Sequence, residues 1–374
     1  MVTDIYLPVL PAILPVLIAA NGYSYFAAAL LVTAYNITSS FTQPVIGWLS
    51  DTRGITISIS ISLLISGVFI GLMGLAQNYY LIMAFAVIAA LGHAFFHPTA
   101  LSIVSRSCTS ENRGRLTSYF VVGGNIGYAI GPVLAGALVF WLGLHGLLVL
   151  IIPALAMIVL LKFLLPGGIA GATAKPKTVL TEAPVVTSKK PFMILLIASI
   201  LRAWSVFAAI TFLPMFLVSQ GYTLFIASMI VTLMLLAGVA GQVMGGYISD
   251  RIGRKEFMIL GLVTSVPTFY LFFVSSGIIA IVMLILFGFA LWSTFAVAVA
   301  MSHELMPGNI GLASGLMLGL AIGVGGLGVA INGVIADHYS LTAALGTIPL
   351  PLIAAAVLML VLPYPWKAYA RRHG

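Results

Sequence analysis

Twelve apolar runs, most of them long enough to cross a bilayer, leave this chain little to fold into except a helical membrane bundle. They fall near 4–20, 24–50, 55–76, 79–105, 116–140 and 144–165, then 191–218, 223–249, 256–274, 277–303, 310–336 and 341–364. Hydrocarbon offers no water to an unpaired backbone amide, so a crossing segment closes its own hydrogen bonds as a helix of roughly 20 residues. Composition points the same way. Charged residues make up 6% of the 374 and hydrophobic ones 61%, against roughly a quarter charged in soluble domains. The expected fold class is all-α, a membrane protein with twelve transmembrane helices.

One polar loop occurs twice. Gly246-Tyr247-Ile248-Ser249-Asp250-Arg251-Ile252-Gly253-Arg254-Lys255 is echoed by Gly47-Trp48-Leu49-Ser50-Asp51-Thr52-Arg53-Gly54. Glycine is expected to let two helices approach, the aspartate to cap or pair at a helix end, and the arginines to stay in headgroup-level water. A loop repeated after the second run of each half predicts two pseudo-symmetric six-helix bundles, 1–165 and 191–374. Between them, 166–190 carries Gly167, Gly168, Pro176, Pro184 and four lysines, and reads as a cytoplasmic linker.

The formal charge of +8 is a topology signal rather than a mark of nucleic-acid binding, which is not expected. Arg53, Arg106, Arg113, Arg115, Lys162, the linker lysines, Arg251, Arg254, Lys255, Lys367, Arg371 and Arg372 all fall at even-numbered connections or the C-terminus. The odd connections carry no Lys or Arg. By the positive-inside rule the even loops and both termini are cytoplasmic, in a multi-pass protein of the cytoplasmic (inner) membrane. The single Cys108 excludes an internal disulfide and a cysteine metal site. The first span ends near Ala19-Ala20-Asn21, which resembles a signal-peptide cleavage region, but cleavage would leave eleven spans and break the symmetry. An upstream start is the expected reason for so abrupt a beginning.

These residues carry a family resemblance. The doubled Gly-x-x-x-Asp loop, the six-plus-six arrangement and Gly123-Gly124-Asn125-Ile126-Gly127-Tyr128-Ala129-Ile130-Gly131-Pro132 in the fifth span resemble the major facilitator superfamily and its antiporter-type motif. Ser39-Ser40-Phe41-Thr42-Gln43-Pro44-Val45-Ile46-Gly47, Phe96-His97-Pro98, Val122-Gly123-Gly124-Asn125 and Glu304-Leu305-Met306-Pro307-Gly308-Asn309-Ile310-Gly311 resemble the fosmidomycin resistance group within it. So do Gly325-Gly326-Leu327-Gly328 and Ala336-Asp337-His338. Thr52 stands where the superfamily usually has a basic residue, and the first span resembles the group only from Thr3-Asp4 onward. The resemblance implies a secondary transporter working by alternating access, with a small molecule and protons as partners and no cofactor. It also implies helix packing at Gly127, Gly131 and Pro132.

Polar residues inside the spans are costly there and so are the functional candidates. Asp4 matches the group's first-span aspartate and would carry the coupling proton; the alternative is an interfacial residue. His93 and His97, spaced i and i+4, share one helix face, and an imidazole titrates near neutral pH, so either could relay a proton. Their alternative role is structural, with a backbone carbonyl as partner. The fourth span has no carboxylate or thiolate at ligand spacing, so no metal site is expected there. Arg202, near the middle of the seventh span, costs about 2.5 to 3.5 kcal/mol unless paired or wet, and should line a cavity and hold substrate. An ion pair with Asp4 or another carboxylate is its alternative.

Asn36 and Asn125 are further substrate candidates, although polar side chains in spans, Gln43 and Gln242 included, more often join helices. Gly47, Asp51, Arg53, Arg106, Gly246, Asp250, Arg251, Gly253, Arg254 and Glu304 form the expected gating and loop set, through charge pairs that break on switching. The eleventh span is glycine-rich but has no Gly-Lys-Ser/Thr ending, so no nucleotide site is expected. No nucleophile–base pair supports an enzyme. The expected function is proton-coupled efflux of a small anionic or zwitterionic compound or drug, by a monomer. The alternative is proton-coupled uptake of a nutrient, metabolite or siderophore-like anion.

Overall fold

The computed structural model describes residues 1–53, 57–107, 113–164 and 189–366. The linker over 166–188, Gly54, Cys108 and the basic C-terminus lie outside the described residues, as do the side chains of Asp51, Arg106, Arg113, Arg115 and Lys189. Among the described residues every regular element is helical. Ten helices are long and apolar enough to cross a membrane: α1 (Val2–Asn21), α4 (Tyr79–Ser107), α5 (Arg113–Leu142), α6 (Leu144–Phe163), α7 (Lys189–Ser219), α8 (Leu224–Ile252), α9 (Arg254–Val274), α10 (Gly277–Leu305), α11 (Pro307–His338) and α12 (Leu341–Val361). With α2 (Tyr25–Arg53) and the shorter α3 (Ile59–Leu75) they make the twelve segments expected.

α1 is broken. Its first turn, Val2–Ile5, is separated from Val9–Asn21 by Tyr6-Leu7-Pro8. Pro8 has no N–H to give the carbonyl of Asp4, and its ring crowds that carbonyl, so the helix opens beside the carboxylate. α11 departs from regularity over Leu316–Leu320, a π-helical turn between Gly315 and Ala321, of the kind that recurs at functional sites.

The chain divides into two compact units, Met1–Thr178 with Leu213–Thr232, and Val179–Phe212 with Leu233–Gly374. In the first unit α4 packs on α2 and α3, and α1 lies against α5. There, a Cβ on Gly127 would clash with the Met1 carbonyl and one on Gly131 with the Ile5 carbonyl. The glycine motif of α5 is thus the seat of α1.

In the second unit α9 packs on α10 and α12. The glycine seam of α8 runs through Gly241 against the Phe289 carbonyl and Gly245 against the Ser293 carbonyl of α10. Gly246 and its counterpart Gly47, read from sequence as close-approach glycines, would each meet nothing within 4 Å if given a Cβ. The contact face of α8 lies one residue earlier, at i and i+4 positions that stack one above the other.

Candidate functional site

Two helices converge on a buried charge. Oδ1 of Asp4, on the broken turn of α1, lies 3.2 Å from Nε2 of His97 on α4. Oδ2 lies 3.4 Å from the Met1 ammonium. A Cβ on Gly124 of α5 would meet Oδ2 at 3.2 Å, so the carboxylate fits because that residue has no side chain. His93, one turn before His97 and 5% exposed, stands edge-on to it with ring centroids 4.8 Å apart. Asp4 and the His93–His97 pair, picked separately from the sequence, are therefore one cluster.

Its surroundings are polar and incompletely bonded. Nδ1 of His93, Oγ1 of Thr3, the hydroxyl of Tyr35 and Nδ2 of Asn36 are all buried and lack a hydrogen-bond partner among the described residues. Tyr35 tilts towards His93 at 6.4 Å between ring centres. Buried polar groups are almost always bonded in proteins, so this concentration of open donors and acceptors is unusual for a packed interior. Thr3 and Tyr35 were not singled out from the sequence; each is a neighbour in the chain of a residue that was. Asn125, the other polar candidate, is half-buried on α5 and makes contacts of its own.

Arg202 belongs to the second unit. Only 5% exposed, its guanidinium lies over the Phe295 ring at 5.1 Å from the ring centre. The ring's negative face offsets part of the cost of burying the cation. Nε has no hydrogen-bond partner, and no carboxylate among the described residues is within ion-pair distance of the guanidinium. Nearby on α7, Trp204 is fixed by packing against Gly328 of α11 and by donating to Oδ1 of Asn332 at 2.6 Å. Asn332 in turn donates to the Ala344 carbonyl and the Thr347 hydroxyl. The segment that carries Arg202 is tied to α11 by these contacts, while Nε of the guanidinium stays open.

The repeated loop is assembled differently from a simple aspartate–arginine neighbour pair. Arg251 turns back onto Tyr247, bonded to its hydroxyl and 4.3 Å above its ring. Asp250 pairs instead with Arg254 at 3.4 Å, and Arg254 reaches Glu304 on α10 at 3.1 Å. Gly253, with φ of 114°, makes the turn between α8 and α9 that only glycine adopts readily. The hydroxyl of Tyr364 donates to Glu304. Burial, then that bond and the carboxylate charge, raises the Tyr364 pKa above its ordinary value, so the phenol remains a donor. In the first loop, Arg53 lies over Trp48 at 5.9 Å.

Lys255, counted from the sequence only among the cytoplasmic cations, is 2% exposed. It donates to the carbonyls of Leu360 at 3.1 Å and Leu362 at 2.7 Å, and lies over Trp366 at 4.3 Å. The last carbonyls of a helix have no partners within it and attract a cation, so a lysine from α9 caps the end of α12. Nothing in its local sequence distinguishes it from Arg254.

Comparison with known proteins follows the same lines. A family model described as the Major Facilitator Superfamily matches residues 2–231 and 223–373. The fosmidomycin resistance protein of Escherichia coli (strain K12) is 30% identical over 349 residues, 91% of this chain and 85% of that protein. An uncharacterized MFS-type transporter of Bacillus subtilis (strain 168) is 30% identical over 353 residues, with the same two shares. Among solved structures, a bacterial homologue of the human lysosomal transporter Spinster, inward-facing and occupied, superposes with a TM-score of 0.77 at 16% identity over 99% of this chain and 94% of that one. That likeness is one of fold. Twelve apolar helices, a loop motif in each half and matches along nearly the whole chain lead to one conclusion: the chain belongs to the major facilitator superfamily.

Proposed function

We propose that this multi-pass membrane protein exports a small anionic or zwitterionic compound, a drug among them, in exchange for protons. Membership of a transporter family makes it a carrier and not an enzyme. In this reading the chain, built as two six-helix halves, 1–165 and 191–374, joined by the linker 166–190, works by alternating access. Both termini lie in the cytoplasm, since every Lys and Arg outside α7 falls at an even connection or at the C-terminus. The monomer is the working unit.

The observation that carries the reading is Arg202, a buried cation in mid-span with, among the described residues, an unbonded Nε and no carboxylate in ion-pair range. An arginine kept in that state is suited to a carboxylate, phosphate or phosphonate, which its planar fork binds through two bonds at once. Asp4 with His97 is the pair that would take a proton on one side of the membrane and release it on the other. Export, rather than uptake by symport, is favoured by the Gly131-Pro132 motif and by the likeness to the fosmidomycin resistance protein.

The test is transport by the purified protein in sealed vesicles under an imposed pH gradient, with a panel of phosphonates, carboxylates and lipophilic cations. Outward movement of an anion coupled to proton entry supports the reading. Movement of anion and proton in the same direction would replace export by uptake, and a preference for lipophilic cations would reject the anionic substrate.

A further inference from the structure

Asp4, His93 and His97 each offer one metal-ligand atom, and the three atoms lie within 4.8 Å of one another. We propose that they form a binding site for a divalent transition ion of the zinc type, which competes with protons for the cluster. The sequence lacks a third ligand at helical spacing from the two histidines; the fold brings it from α1. Binding rests on ligand geometry alone, while its effect on transport rests on Asp4 and His97 being the coupling pair. The ion is a competitor for that pair and not a resident cofactor.

The donor set argues for the class of ion. Around a tetrahedral zinc, with bonds of about 2.0–2.1 Å, neighbouring donors stand about 3.3 Å apart. Oδ1 of Asp4 and Nε2 of His97 are already at 3.2 Å. His93 has the shift left to make, and one of its ring nitrogens, Nδ1, lacks a hydrogen-bond partner among the described residues. Two imidazoles at i and i+4 on one helix face, with one carboxylate, suit zinc, cobalt or nickel. A single carboxylate oxygen is a poor site for magnesium or calcium, which require several oxygen donors. The absent side chain at Gly124 leaves the carboxylate its place.

The experiment uses the full chain in detergent with any affinity tag removed, titrated with Co²⁺ and Zn²⁺ near neutral pH in the presence of excess Mg²⁺. Saturable binding of a single equivalent is expected, with the visible absorption of a low-coordinate cobalt ion. Asp4→Asn, His93→Gln and His97→Gln should each weaken it about 100-fold or more, and His338→Gln should leave it unchanged. X-ray absorption on the zinc-loaded wild-type protein needs no variant to fold, and should show two imidazoles and an oxygen. No saturable binding by the wild type, binding that survives the three variants, or a shell without imidazole overturns the proposal. None of these readouts involves a gradient. Zn²⁺ that binds as described without slowing proton-driven transport would count against the coupling role of Asp4 and His97, and leave the metal site standing.

Discussion

The carboxylate of Asp4 occupies the space that a side chain at Gly124 would need, with Oδ2 only 3.2 Å from where a Cβ would stand. Two turns further along α5, Gly131 would drive a Cβ into the Ile5 carbonyl and the Pro8 ring. The same stripe of small residues therefore does two things. At one end it makes room for a charge, and at the other it lets the backbone of α1 lie against α5.

These contacts separate the two glycines experimentally. At Gly124 the neighbour is a side-chain oxygen that can yield by a few tenths of an ångström, so Gly124→Ala should fold normally and change the pH dependence of transport. At Gly131 the neighbours are backbone and a rigid ring. Overpacking of that kind costs about 1–3 kcal/mol, so Gly131→Ala should lower the melting temperature in detergent. Equal melting temperatures for the two variants would show that the glycine stripe does not seat α1 as described.

The spans are legible in the sequence because an apolar run of about 20 residues suffices to define one. The pairing of His93 with His97 is legible as well, since i and i+4 share a face. Asp4 could be recognised as an ionisable residue inside an apolar run and by its likeness to the group's first-span aspartate. That it meets His97 depends on how α1 crosses α4 and α5, and no local pattern encodes a crossing. At Gly245-Gly246 the composition is the same on both faces, and only the direction of α10 decides that Gly245 is the contact. Lys255 resembles its loop neighbours in every local respect. Its burial is set by carbonyls at the end of α12, more than 100 residues on.

Asp4→Asn keeps the shape of the side chain and removes the charge. An amide cannot release a proton, so gradient-driven transport should be lost while substrate exchange across vesicles, which needs no proton release, continues. The check is counterflow of labelled substrate beside net transport under a pH gradient. Normal gradient-driven transport by Asp4→Asn would move the proton site elsewhere, with His97 the next residue to replace.

Lys255 ties the end of α12 to the start of α9. A hydrogen bond from a charged donor contributes about 1.5–3 kcal/mol, and here one ammonium serves two carbonyls at 3.1 and 2.7 Å. Lys255→Met should keep much of the packing on Trp366 but take the ammonium from both carbonyls, leaving that of Leu362 with the Tyr364 N–H alone. Limited proteolysis should then cut near Tyr364 several-fold faster than in the wild type. Cleavage at the wild-type rate would mean that the Tyr364–Glu304 contact and packing hold the segment without the lysine.

Arg202 gives the most direct test of charge selectivity. Its guanidinium has an aromatic ring for a neighbour instead of a carboxylate, and its Nε is open. A structural ion pair, the other role considered for it, requires a partner that the described residues do not supply at ion-pair distance. If an anionic substrate completes this donor set, Arg202→Ala removes the charge and the fork together. One charged hydrogen bond at about 1.5–3 kcal/mol corresponds to roughly 10- to 100-fold in affinity. Arg202→Lys should fall between the two, because an ammonium keeps the charge but cannot grip a carboxylate or phosphonate with two parallel bonds. Affinities of both variants for an anionic substrate, measured in detergent alongside their melting temperatures, separate binding from stability. Weak binding with an unchanged melting temperature assigns Arg202 to the substrate. Unchanged affinity in Arg202→Ala with a lowered melting temperature assigns it to the fold, and the anionic substrate then loses its main support.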